Sequence, residues 1–180
     1  MREIRILTSR FTLRPLSAQD VNDRYVNWLQ EMAGLGFIIS ASATTDLASV
    51  RAYVAERSGR ADVIFLGIFE KVSGLHIGNI KYEPIDREAR TATMGILIGD
   101  PNWRGVGVAS EVLFATARFL KENCDMRWIL LGVNRSNTPA IRAYRKIGFE
   151  ECADQKKVAI LSQTMDMVWD LDKDTRLGVL

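Results

Sequence analysis

Three apolar runs separated only by short polar turns occupy residues 63–98, and they decide most of what this chain can fold into. Residues 63–69 are almost continuously apolar, Lys71-Val72-Ser73-Gly74 is a turn, residues 75–82 form a second run, and Asp86-Arg87-Glu88 leads into a third at residues 91–98. Turns this short admit only antiparallel neighbours, so the three runs predict a meander. Helical spacing then returns, with Val108, Ala109, Val112, Leu113, Thr116 and Leu120 on one face of a helix ending near Asn123. Residues 127–133 read as a buried strand. A helical crossover between two strands makes them parallel, so this strand should lie parallel to residues 91–98.

The flanking segments complete the pattern. Residues 4–16 alternate loosely and predict one strand or two short ones, ended by Pro15. Ser17, with Asp20 three residues on, is the candidate cap of a first helix carrying Val21, Tyr25, Trp28 and Leu29. Gly34 and Gly36 break it, and a small-residue stretch at residues 40–45 leads to a second helix with Leu47, Val50 and Val54 on one side. The interval between these helices is expected to be mobile and to face substrate. Pro139 sits in the first turn of another helix that ends at Gly148. Strands from Phe149 and over residues 165–171 close the list. The predicted class is therefore α/β (α+β), a mixed and mostly antiparallel sheet with helices on its faces, in a single domain spanning residues 1–180.

Composition narrows the function. A net charge of +2 is too small for sequence-wide attraction to nucleic acid or membrane. Cys124 and Cys152 cannot form a disulfide framework, and with His76 as the one histidine they make no convincing metal site. Acidic and basic residues at Met1-Arg2-Glu3 lack the apolar stretch of a secretory leader, so the expectation is a cytoplasmic protein.

The segment Trp103-Arg104-Gly105-Val106-Gly107-Val108-Ala109 follows a strand and opens a helix. Unpaired amides and the positive end of the helix dipole suit such a loop to a phosphate or diphosphate, while two glycines before a helix also suit a plain tight turn. It is not a dinucleotide fingerprint, since Ser110 stands where the third glycine belongs. It is not a Walker loop either, lacking Gly-Lys-Ser or Gly-Lys-Thr.

Over residues 8–170 the chain resembles the GNAT superfamily of acyl-CoA-dependent N-acyltransferases. Arg104 to Ala109 fits the family's signature at every specified position, and Asn134-Arg135-Ser136-Asn137-Thr138-Pro139-Ala140, followed by Tyr144 and Gly148-Phe149, is similar to its second cofactor-contacting segment. Leu13-Arg14-Pro15-Leu16, Trp28 and Ile77-Gly78-Asn79-Ile80 resemble the branch containing ribosomal-protein N-terminal acetyltransferases and small-amine or amino-sugar acetyltransferases.

The resemblance implies a GNAT fold with a splayed parallel strand pair and acetyl-CoA as acyl donor. It places the pantetheine arm along Ile96, Leu97 and Ile98, with an N–H near Ile96 or Leu97 on the thioester oxygen. The diphosphate goes on the amides of Arg104, Gly105, Val106, Gly107, Val108 and Ala109, and Asn134, Asn137 and Ala140 lie beside the cofactor. Loop asparagines also serve as helix caps, and both roles stay open. Tyr144 stands where the family places a proton donor for the departing thiolate; on spacing alone it would only pack its helix beside Ile141 and Ile147. No acidic residue occupies residues 91–98, where many relatives carry a glutamate, so the base falls to Glu83, His76, Asp100 or solvent.

Trp28, Phe37 and Tyr82 are candidates to line the acceptor pocket. The cations Arg118, Lys121, Arg127, Lys156 and Lys157 read as solvated charge. The acceptor would be a small-molecule amine or a protein N-terminus, and the last strand could pair across a homodimer. A catalytically silent acyl-CoA sensor is the alternative function, and a purely structural protein a third.

Overall fold

The computed structural model describes residues 4–34, 46–152 and 164–178. These form one sheet in the order β1-β2-β3-β4-β5-β6-β8-β7. Its strands are β1 (Ile6–Leu7), β2 (Phe11–Pro15), β3 (Ile64–Glu70), β4 (His76–Asp86), β5 (Thr91–Ile98), β6 (Trp128–Asn134), β7 (Glu150–Glu151) and β8 (Thr164–Asp170). Four helices join them: α1 (Asp23–Gly34), α2 (Leu47–Arg57), α3 (Val108–Cys124) and α4 (Thr138–Ile147). Neighbouring strands are antiparallel except β5 and β6, the pair predicted to be parallel.

Each face of the sheet has its own core. On one, Val108, Val112, Leu113, Ala117 and Leu120 of α3 and Ile141 and Ile147 of α4 pack on Leu66, Ile80, Tyr82, Met94, Leu131 and Trp169. On the other, α1 and α2 bury Tyr25, Trp28, Val50 and Val54 against Leu16 and Leu97. Alternation along β5 therefore sends Ala92 and Met94 toward α3, and Leu97 toward α1. Removing each of these large apolar side chains from water contributes roughly 1.5–3 kcal/mol.

Three local readings change. The Ser17–Asp20 pair forms its capping box, with the Ser17 N–H on Asp20 at 2.9 Å, but it closes only a single 3-10 turn. Helix α1 starts after Asn22, whose side chain accepts the Tyr25 N–H at 3.1 Å. Strand β4 also runs on past Tyr82 to Asp86, because Pro84 falls in a bulge between Tyr82 and Ile85 where no ladder N–H is required. A second bulge in β4 pairs His76 with Phe69 but Gly78 with Ile68, leaving Ile77 as the extra residue. Beyond it the faces exchange, and Ile77, Ile80 and Tyr82 point to α3 while His76 and Asn79 lie toward α1.

Trp28 is seated on Gly99, just beyond β5. A Cβ built at Gly99 would meet the indole at 2.0 Å. Gly99→Ala must displace a buried tryptophan, and overpacking of this kind costs about 1–3 kcal/mol. Urea unfolding should show a lower midpoint at unchanged slope; an unchanged midpoint would mean that Trp28 is not packed there.

Candidate active site

The parallel ladder between β5 and β6 stops at Thr93 and Leu130. Beyond it β5 stays paired with β4 as far as Ile98, and β6 stays paired with β8 as far as Asn134. The two strands have therefore parted while each keeps its outer neighbour. The Gly99 N–H donates to the Ile77 carbonyl at 3.0 Å, which fixes the alternation in this ladder. Leu97 and Gly95 turn their amides to β4, and Ile96 and Ile98 turn theirs into the gap. On the far side the Leu171 N–H donates to the Arg127 carbonyl at 2.8 Å, so Leu131 and Val133 bond toward β8 and Gly132 faces the gap. Of the two amides expected to polarise a carbonyl, only that of Ile96 points the right way.

The open end of β5 leads directly into the glycine loop. Gly105 (φ 75°) and Gly107 (φ 81°) hold left-handed backbone that disfavours any side chain. The Arg104 N–H is spent on the Pro101 carbonyl at 3.2 Å. By contrast, the N–H groups of Gly105, Val106 and Gly107 find no acceptor among the described residues, and the first-turn amides of α3 add to them. A Cβ at Gly105 would meet nothing within 4 Å, so the cradle has room for an anion.

Arg104 does not reach toward that cradle. Its guanidinium donates to the Ile98 carbonyl at 3.0 Å and the Gly99 carbonyl at 2.6 Å, and pairs with Glu31 of α1 at 2.9 Å. It shapes the loop, and sequence reasoning missed this. Also missed was Glu111, in the first turn of α3, which accepts from Thr8 Oγ1 at 2.6 Å, the Arg10 N–H at 2.7 Å and Arg10 Nε at 2.7 Å. Arg10 in turn donates to the Val106 carbonyl at 3.1 Å. Burial works against charge on Glu111, but the Thr8 and Arg10 hydrogen bonds outweigh it and hold its pKa below the usual range. The sequence offered no sign that residues a hundred positions apart would meet.

Tyr144 lies half-buried on α4, edge-on to Phe149 at 5.6 Å. Its hydroxyl has no hydrogen-bond partner among the described residues, and burial pushes its pKa up to about 12. Asn137 caps α4 by accepting the Ala140 N–H at 3.3 Å, and Asn134 accepts the Ser136 N–H at 2.9 Å. The capping role is thus in place for Asn137, while Asn134 closes a turn at the end of β6.

The aromatic candidates part company. Tyr82 is fully buried on the α3 face, where its hydroxyl meets Thr116 Oγ1 at 2.7 Å, so the bulge has turned it away from any acceptor pocket. Trp28 is core, packed on Gly99 and edge-on to His76 at 5.5 Å, and does not line an open pocket. Phe37 lies outside the described residues, as do the 40–45 stretch, Lys156 and Lys157.

The substitute bases are also constrained. Glu83 is ringed by Lys81 at 2.7 Å, Arg57 at 2.8 Å and Arg60 at 3.2 Å. Burial opposes its charge, yet the Lys81 and Arg57 hydrogen bonds prevail and keep it below the ordinary carboxylate range, which makes it a weak base. Asp100 caps the next turn, accepting the Asn102 N–H at 3.0 Å. His76 is enclosed by Tyr25, Trp28 and Phe69, and neither ring nitrogen has a hydrogen-bond partner among the described residues.

A family model described as "Acetyltransferase (GNAT) domain" matches residues 10–150. A mycothiol acetyltransferase of Thermobifida fusca (strain YX) is 35% identical over 51 residues, which are 28% of this chain and 16% of that relative's length. This chain is similar in structure to an acetyltransferase (GNAT family) from Bacillus anthracis, with TM-score 0.76 and 18% identity over 94% of this chain and 100% of the other. It is equally similar to a spermidine N-acetyltransferase from Vibrio cholerae in complex with CoA and spermine, with TM-score 0.76 and 18% identity over 92% and 98%. At such identities the likeness is one of fold.

Burial lowers the pKa of His76 to about 4, against 6.5 for the free side chain. Between these values the unfolded chain takes up a proton that the folded chain refuses, so stability is full above pH 6.5 and falls as the pH drops toward 4. His76 is the single histidine, so the slope between pH 6.5 and 5 belongs mostly to it. Urea unfolding across this range should show that slope, and His76→Gln should flatten it. A ring that titrates near 6.5 by NMR would refute the burial argument.

Proposed function

Because the chain belongs to the GNAT acetyltransferase family, we propose that it transfers an acetyl group from acetyl-CoA to a primary amine by direct attack of the amine on the thioester. One coincidence carries this reading: the gap between β5 and β6 opens at the same end of β5 that feeds the glycine loop. A long donor with a diphosphate at one end and a thioester at the other matches both features, and acetyl-CoA is then a substrate consumed in each turnover.

The free amides of Gly105, Val106 and Gly107, with those of Val108 and Ala109 opening α3, hold the diphosphate. Arg104 positions this loop from behind. Ile96, Ile98 and Gly132 offer backbone groups to the amide-bearing arm as an added strand would. The Ile96 N–H donates to the thioester oxygen and strengthens its hold as negative charge develops there. Leu97 contributes by anchoring β5 to the α1 core. Asn134, Asn137 and Ala140 fix the start of the helix that carries Tyr144. The Tyr144 hydroxyl, protonated throughout the physiological range, donates to the departing thiolate.

The acceptor is a small-molecule amine or a protein N-terminus, the latter in keeping with the ribosomal-protein branch. The setting is cytoplasmic and the working unit a single domain that pairs into a homodimer; β8 lies between β6 and β7 and so is not the edge for that pairing. The rival reading of a silent acyl-CoA sensor drew its support from the absence of an acidic residue on β5.

Turnover tests both. Thiol release from acetyl-CoA should appear with at least one amine of a panel, and Tyr144→Phe should lower kcat on the order of 100-fold while leaving the Kd for CoA unchanged. A full kcat in the variant would reduce Tyr144 to packing. CoA at 100 times its Kd should stabilise the protein by about 2.7 kcal/mol; stabilisation without turnover of any amine would establish the sensor.

A further inference from the structure

The register places an uninterrupted row of residues across the sheet at the level where the gap begins. Two residues beyond the last parallel pair, Thr93 with Leu130, stand Gly95 on β5 and Gly132 on β6. Gly95 is paired outward with Lys81, and Gly132 is paired outward with Asp166 of β8. All four lie on the α1 side of the sheet. Their chain neighbours Met94, Leu131, Val133, Met165 and Met167 pack into the α3 core, and Lys81 reaches Tyr53 of α2. The gap is thus framed by two residues without side chains, with an ammonium beyond one and a carboxylate beyond the other.

The two charges are not equivalent. Lys81 is already engaged by Glu83 at 2.7 Å and by the Tyr53 hydroxyl. Asp166 Oδ1 is buried and has no hydrogen-bond partner among the described residues. A buried carboxylate oxygen without a donor forfeits the hydrogen bond that water would give it, and such atoms are rare in folded proteins. Burial raises the Asp166 pKa above the usual carboxylate value, against the opposing influence of Arg135, which is itself paired with Glu151 of β7 at 3.4 Å. The Gly132–Asp166 pair is one of the non-hydrogen-bonded positions of its ladder, where facing residues come closest, about 4.5 Å between Cα atoms. No side chain at position 132 stands between the carboxylate and the gap.

Resting on the acetyl-transfer reading, we infer that Asp166 is the general base that takes the proton of the acceptor amine, supplying from β8 the carboxylate that β5 lacks. The amine enters from the α1 side above Gly95 and Gly132. Asp166 Oδ1 accepts one N–H proton as the nitrogen lone pair closes on the carbonyl carbon. The C–S bond then breaks, and the thiolate takes a proton from Tyr144. Asp166 returns its proton to solvent, and the Tyr144 phenolate regains one from solvent. The sum is amine plus acetyl-CoA giving amide plus CoA thiol.

The test uses the full chain and whichever of spermidine, glucosamine or a serine-initiated tripeptide the wild type acetylates fastest. Asp166→Asn and Asp166→Ala should lose about 100-fold in kcat, the lower range for removal of a general base, with the Kd for CoA within twofold of wild type. Asp166→Glu should recover part of the loss. Added formate should raise the rate of Asp166→Ala several-fold in proportion to its concentration and leave the wild type unaffected, a response that a merely structural aspartate would not give. Wild-type turnover together with an Asp166→Asn rate within threefold, absent formate rescue, or lost CoA binding in both variants would overturn this assignment and leave acetyl transfer standing. A wild type that acetylates none of the three amines would remove both.

Discussion

The ladder joining β5 to β6 is three residue pairs long, while those joining β4 to β5 and β6 to β8 continue well beyond it. This mismatch of lengths creates the site. Strands that separate expose amides that must find partners, since each one buried and unpaired costs about 1–3 kcal/mol. The separation is sustained because each strand is held from outside, and because each face of the sheet has an independent core that does not need the missing bonds. The gap presents Ile96, Ile98 and Gly132 to whatever enters. Its specificity for an extended, amide-bearing chain therefore resides in backbone.

Holding a gap open is useful only if the phosphate end of the ligand is fixed in register with it. Here the first turn of α3 is tied down from two directions. Glu111 gathers Thr8 and Arg10 from the β1–β2 hairpin, and Arg104 gathers the end of β5 and Glu31 of α1. Both ties are charge-assisted hydrogen bonds, the stronger kind. The result is a loop whose amides are left free while its side chains are engaged elsewhere. An anion arriving there meets donors that need no reorganisation.

Much of this was legible in the sequence, and the division follows the range of the forces involved. The meander at residues 63–98, the apolar stripe of α3 and the glycine loop are encoded by neighbours within a few positions, and their bounds follow from the sequence except at the end of β4, which runs on from Tyr82 to Asp86. The parallel pairing of β5 and β6 followed from connectivity. What could not be read was anything that depended on register. Strict alternation along β4 would put Tyr82 on the same face as His76. The extra residue at Ile77 reverses that, which is why an acceptor-lining tyrosine became a core residue bonded to Thr116. Likewise the Arg104 amide, one of the row expected to meet the diphosphate, turns back onto the Pro101 carbonyl, and acceptors lying 5, 6 and 73 positions away in the chain hold its guanidinium, for which the sequence suggests no role. Asp166 gave no signal at all. It is one of many acidic residues, and only the pairing of β6 with β8 sets it beside the gap.

Charge around the gap separates this chain from what its structural likeness alone would import. A polycationic acceptor such as the spermine in the Vibrio cholerae complex is best met by carboxylates with negative charge to spare. Glu83, on the α1 side of β4, has none to spare, because Lys81, Arg57 and Arg60 surround it. On that side of the row across the gap, Asp166 has an oxygen without a hydrogen-bond partner among the described residues. These side chains lie outside the glycine loop, so the charge that faces the gap is set separately from the backbone grip on the loop.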